Sequence, residues 1–155
     1  MTTPETRFVY VTCIRSTPDR VFDAITTPEM TRQYRGHDTL SDDWQPGSGW
    51  SHVCTDAERS VNLLGKGIEN DGPRRLVLSL ANASQADDPA AWSRVTFEVE
   101  AHDDRGRLTV LHAGLEPGSG MNTGIRRGWP LVVSSLRSFL ETEAGMDVFA
   151  RLKVA

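Results

Sequence analysis

Residues 123–143, TGIRRGWPLVVSSLRSFLETE, decide the fold. Apolar side chains fall at Ile125, Trp129, Leu131, Val132, Val133, Leu136, Phe139 and Leu140, and all but Leu131 recur at intervals of three and four. Such spacing makes one broad apolar stripe along a helix. Arg126, Arg127, Arg137 and Glu141 mark the opposite face. A stripe this wide has to lie on an apolar surface, and the rest of the chain is written in strands that can make one. The pattern predicts a long helix gripped by a curved sheet, with a space between them.

Working back from that helix, residues 107–114 and 92–101 alternate around Asp103-Asp104-Arg105-Gly106, the strongest hairpin signal in the chain. Residues 62–70 and 75–81 read as a second hairpin around Asp71-Gly72-Pro73, and residues 82–91 as a polar loop. Short strands are expected near 41–44 and 49–54, separated by the turn Gln45-Pro46-Gly47-Ser48, with 36–41 as a turn region. At the other end, residues 7–15 (with Phe8, Val9, Tyr10, Val11, Cys13 and Ile14) form a first strand. Thr17-Pro18 and then Thr27-Pro28 each place a capping hydroxyl before a proline at the first helical position. They predict two short helices, to about 26 and over 29–34, broken into a V. Strands grouped apart from helices give an α+β fold: a curved antiparallel sheet of about seven strands around the long helix.

At 155 residues the chain is expected to be one domain, residues 1–155, with 146–155 as an extension that docks through Met146, Val148, Phe149, Leu152 and Val154. A net charge of −4 argues against nucleic acid as a partner. No apolar run reaches the ~20 residues of a membrane helix, and the N-terminus lacks a secretory layout. Cys13 and Cys54 have no metal or redox spacing and are expected as small buried hydrophobes. These features point to a cytoplasmic location.

The stretch from Ile14 to Glu29, IRSTPDRVFDAITTPE, resembles the opening of START-like (SRPBCC) domains of the Hsp90-ATPase-activator-homologue type, with Phe22 where a tryptophan is usual. Ser41-Asp42-Asp43-Trp44 with Pro46-Gly47-Ser48 looks like that family's S-D-W-x-x-G-S turn. Gly128-Trp129-Pro130, Ser134-Ser135-Leu136 and Leu140-Glu141-Thr142 look like its closing helix. The resemblance implies the helix-grip fold shared with birch-pollen allergens, lipid-transfer START domains and polyketide aromatase/cyclases, all built around an apolar cavity. The Hsp90 association belongs to a branch with an additional N-terminal domain, for which this chain has no room, so Hsp90 is not expected as a partner.

Strand parity and the helix stripe give the candidate ligand-binding residues. Trp129, Val133 and Leu136 point from the helix toward the sheet; Trp50, His52, Leu78, Leu80, Trp92, Phe97 and His112 are inner-face candidates; Tyr34 and Trp44 stand near the mouth. Large flat side chains with polar tips suit an aromatic or lipid-like molecule, although the same residues also serve simply to fill a core. The four histidines lack the close pairing of a zinc site, so neither a metal nor a cofactor is expected. The paired acids at 42–43, 87–88 and 103–104 are turn formers, and Ser134-Ser135 has no nucleophile elbow. The reading favoured is a binding module for a hydrophobic small molecule such as a lipid, polyketide or aromatic metabolite. One alternative is a cyclase/aromatase-like enzyme acting through Tyr34, His52 and His112. The other is a protein-interaction module, chaperone-linked or homodimeric.

Overall fold

The computed structural model describes residues 7–55 and 57–146. Strand β1 (Phe8–Ile14) leads into α1 (Pro18–Thr26) and α2 (Pro28–Arg35). Six strands follow: β2 (His37–Ser41), β3 (Gly49–Cys54), β4 (Val61–Asp71), β5 (Arg75–Asn82), β6 (Ser93–His102) and β7 (Arg105–Ala113). Helix α3 (Gly120–Thr142) closes the described chain. The sheet is antiparallel throughout in the order β1-β7-β6-β5-β4-β3-β2, so the N-terminal strand pairs with the last and β2 forms the other edge. This is the helix-grip architecture: a curved sheet, a V of two helices and one long helix.

The helices start where the hydroxyls allow. Thr17 Oγ1 accepts the amide of Arg20 at 3.2 Å and Ser119 caps α3 by accepting from Asn122. Thr27 has two tasks. Its N–H closes α1 onto the Asp23 carbonyl at 2.9 Å, and its own carbonyl opens α2 by accepting from Thr31. The chain turns there because Pro28 cannot continue the i→i−4 ladder of α1. Helix α2 stops at Gly36, whose φ of 70° reverses the chain into β2.

The inward stripe of α3 is as its spacing predicts: Trp129, Val132, Val133, Leu136 and Leu140 are buried and Leu131 is half exposed. The helix is tied down by Ser135, fully buried, which donates to the Tyr34 carbonyl at 2.7 Å and accepts the Met146 amide at 2.8 Å. The expected docking of the segment beyond Met146 lies outside the described residues.

Two expectations are corrected. The stretch 36–41 is not a turn region but contains strand β2, registered from His37↔Cys54 to Ser41↔Trp50, and 42–44 lies outside the strands. Its polar sequence hides the strand. Asp38 is buried there because the Arg32 guanidinium holds it side-on at 2.8 and 2.8 Å and Arg59 binds its other edge at 2.6 Å. Those two arginines hold its carboxyl down to about 2. Cys13 is not buried: β1 turns Val9, Val11 and Cys13 outward, and Cys54 is only half-buried. Strand alternation, not the chemistry of the thiol, decides that position. Asn82 ends β5, and residues 83–91 are a loop with two short 3-10 turns, Ala83–Gln85 and Pro89–Ala91.

Candidate functional site

The space between sheet and helix is narrow. Ile25, Arg35, Thr39, Trp44, Trp50, Leu78, Leu80, Val95, Phe97 and Trp129 surround a cavity of about 20 Å³, which holds one water at most. Its walls come from α1, α2, four strands, the β2–β3 loop and α3. The wall is dominated by the phenyl ring of Phe97 and by three indoles, each locked in position by a hydrogen bond from its Nε1–H.

Trp50 donates its Nε1–H to the Ser79 carbonyl at 2.8 Å, reaching over β4 to β5. That crossing needs Gly65. A Cβ at position 65 would stand 2.6 Å from Trp50 Nε1 and 1.8 Å from the Ser79 oxygen. Trp44 lies beside Trp50, ring centroids 6.5 Å apart, and donates to the Thr26 carbonyl at 3.1 Å. Its backbone has a φ of 60°, a left-handed conformation that costs a non-glycine residue about 1–2 kcal/mol. The Ser41 hydroxyl accepts its amide and Asn70 donates to its carbonyl, which hold it there.

Trp129 meets Phe97 edge-on at 5.7 Å and donates its Nε1–H to His112 Nδ1 at 3.1 Å. An indole nitrogen can only donate, so His112 carries its proton on Nε2. That proton goes to the Ser93 oxygen at 2.7 Å, and the Ser93 hydroxyl donates in turn to the Leu80 carbonyl at 3.3 Å. Burial holds His112 neutral, its pKa pushed down to about 4.

The candidates therefore separate into two groups. Trp44, Trp50, Leu78, Leu80, Phe97 and Trp129 reach the cavity. Tyr34, His52, His112, Val133 and Leu136 are buried but stand behind its wall. Tyr34 donates to the Ala24 carbonyl at 2.8 Å, and burial pushes its phenol up to about 12. His52 stacks on His37 at 4.3 Å and shares a 3.0 Å hydrogen bond with Thr39; burial first, then the charges of Arg35 and His37, keep its pKa below the ordinary value. His52 and His112 thus keep separate partners rather than meeting as a pair. Trp92 lies outside the sheet face, donating to the Ala86 carbonyl at 3.1 Å. In β6 it is Val95, Phe97 and Val99, the odd positions, that turn inward.

Arg35 is the wall residue that the sequence reading passes over. It belongs to the inner face of α2 with Thr31 and Tyr34, at the same spacing of three and four that marks α3, but its charge disguises it as a solvated residue. Its guanidinium carbon lies 5.6 Å from the centre of the Trp129 ring. Its Nε is buried with no hydrogen-bond acceptor, and burial depresses its pKa. Among the described residues no three His, Cys, Asp or Glu side chains form a metal-holding group, and no helix is long and apolar enough to cross a membrane.

An apolar-walled space gripped between a bent sheet and a long helix defines a START-like, helix-grip protein. More narrowly, residues 15–141 match the family described as Activator of Hsp90 ATPase homolog 1-like protein, and the chain belongs to that family. Solved structures agree in fold. Protein MLL2253 from Mesorhizobium loti is 20% identical, with a TM-score of 0.71 over 88% of this chain and 97% of its own. The Aha1 dimer from Colwellia psychrerythraea is 15% identical, with a TM-score of 0.74 over 90% of this chain and 99% of its own. CalU16 from Micromonospora echinospora is 19% identical, with a TM-score of 0.68 over 92% and 83%. No curated protein matches the chain.

Proposed function

We propose that the protein binds a small apolar molecule in the space between the sheet and α3. The observation that carries this reading is the wall itself. Indoles from the β2–β3 loop, β3 and α3, each anchored by a hydrogen bond at its rim, line a common void. Tyr34, His52 and His112, the side chains suited to proton transfer, are engaged behind that wall, which favours retention over turnover.

About 20 Å³ is too little for any organic ligand; a benzene-sized one needs on the order of 150 Å³. Entry therefore displaces part of the wall, and Trp44 is the part that yields. It lies between strands rather than in one, its backbone is strained, and moving it relieves that strain.

The four indole N–H groups give a direct test. On titration with naphthalene, followed by proton–nitrogen NMR, the Nε1–H resonances of Trp44, Trp50 and Trp129 shift together. That of Trp92, outside the site, stays in place. Absence of shifts, or an equal shift at Trp92, overturns the reading.

A further inference from the structure

We infer that the molecule taken by this pocket is an apolar carboxylate, and that Arg35 is the group that receives its charge. The inference rests on the binding role proposed above and adds the chemical class of the ligand.

Helix α2 carries two arginines whose situations can be compared directly. Arg32 spends its Nε and Nη2 on the two oxygens of Asp38, the side-on fork that matches a carboxylate. Arg35, one turn further, directs the corresponding edge into the wall of the cavity, and there Nε has no acceptor at all. Among the described residues it forms no ion pair, and the carboxylate of Asp38 is held by Arg32 and Arg59. It lies over the ring of Trp129 and shares the cavity lining with Ile25, Trp44 and Trp50, none of which offers a lone pair to the fork, while the neighbouring His52 already shares its Nδ1 with Thr39. The hydroxyl of Thr39 is shared with His52.

An arginine cannot escape such a position by losing its proton, as a lysine can, because its pKa is too high. Arg35 is half-buried, but its Nε is wholly so, and a charged donor buried without an acceptor is costly unless something else supplies one. The cavity admits only a ligand to that edge. A carboxylate satisfies Nε and one Nη together, while the apolar body of the same molecule lies against the indoles. A phosphate monoester would bring a second negative charge and a larger polar surface into a wall with no second cation on it. A neutral apolar molecule would leave Nε as it is. The single fork and its dry surroundings favour one carboxylate on a hydrocarbon or aryl body.

Matched probes test this: 2-naphthoate against 2-naphthamide, and decanoate against decanamide, titrated into the full chain, Arg35→Met and Arg35→Lys. The wild type binds each carboxylate at least tenfold more tightly than its amide. Arg35→Met loses that preference, and Arg35→Lys retains part of it. In the wild type the carboxylate, but not the amide, moves the Arg35 Nε–H resonance downfield, the mark of a hydrogen bond newly accepted from that nitrogen. Equal affinity for acid and amide in the wild type overturns the carboxylate inference and leaves the apolar pocket standing. Binding of neither pair, with no shift at Trp129, overturns both. If Arg35→Met does not fold, the comparison of the two probes on wild type and on Arg35→Lys, together with the Arg35 Nε–H resonance, decides alone.

Discussion

Trp129 donates its indole proton to His112 at 3.1 Å and so fixes which ring nitrogen of that histidine is protonated. The same contact ties the cavity wall on α3 to strand β7 and, through Ser93, to β6 and β5. Protonating His112 would place a second hydrogen where Trp129 already presents one.

Acid should therefore unfold the protein earlier than its carboxylates require. The folded-state pKa of His112 lies near 4 against an ordinary 6.5, so the unfolded chain takes up the proton first. The stability tied to this group is complete above about pH 6.5 and is lost as pH falls toward 4, by up to ~3 kcal/mol. His52, displaced in the same direction, adds to the effect. Urea unfolding at pH 7.5 and pH 5 is expected to differ by about 2 kcal/mol for each of the two histidines, and His112→Phe removes roughly half of the difference. A pH-independent midpoint across this window would contradict the burial of both histidines.

Gly65→Ala should destabilise the fold more than its size suggests. The added methyl meets the Ser79 carbonyl at 1.8 Å and the Trp50 nitrogen at 2.6 Å, so either the β4–β5 pairing or the indole must move. Overpacking against backbone costs about 1–3 kcal/mol, and the displaced Trp50–Ser79 hydrogen bond adds about 1. Thermal unfolding measures the loss, and the Trp50 Nε1–H resonance should lose its hydrogen-bonded shift.

At Trp44 the usual order of alanine and glycine should invert. Both Trp44→Ala and Trp44→Gly remove a wall of the cavity and cost about 3–5 kcal/mol. Alanine keeps the penalty of a φ of 60°, whereas glycine adopts it freely. Trp44→Gly is expected to be the more stable of the two by roughly 1 kcal/mol. Equal stabilities, or alanine ahead, would show that the loop relaxes once the indole is gone.

Asp38→Asn removes the charge that gathers Arg32 and Arg59 at the edge strand. Both arginines are about half exposed and return to water, so the loss is held to about 2 kcal/mol rather than the larger cost of stranding a buried ion. Hydrogen exchange should report it locally, in the amides of β2. The wild-type contribution of Asp38 is present above about pH 4 and is lost as pH falls toward 2, below the histidine window.

Much of the architecture was legible because it is written in local repeats. The three–four spacing of α3, the Thr-Pro starts of α1 and α2, and the turn before Gly106 act within a few residues of themselves. Resemblance in the same segments pointed to the family. Strand β2 was missed because it has no apolar alternation: its pairing with β3 and the two arginines on Asp38 supply what its own side chains do not. Trp92 is not an inward residue of β6, because Val95 and Phe97, three and five positions on, set the opposite parity.

By itself the sequence determined every main element except β2, their order and the apolar stripe that had to be covered, since periodicity and capping depend on neighbours along the chain. Only the tertiary structure decided which aromatic rings share a wall, that the wall closes to about 20 Å³, and that Arg35 sits in it with an unanswered nitrogen. Those depend on how far apart α2, α3 and the sheet come to rest. That distance is set by contacts among residues remote in sequence, such as Trp50 across Gly65 and Ser135 against Tyr34.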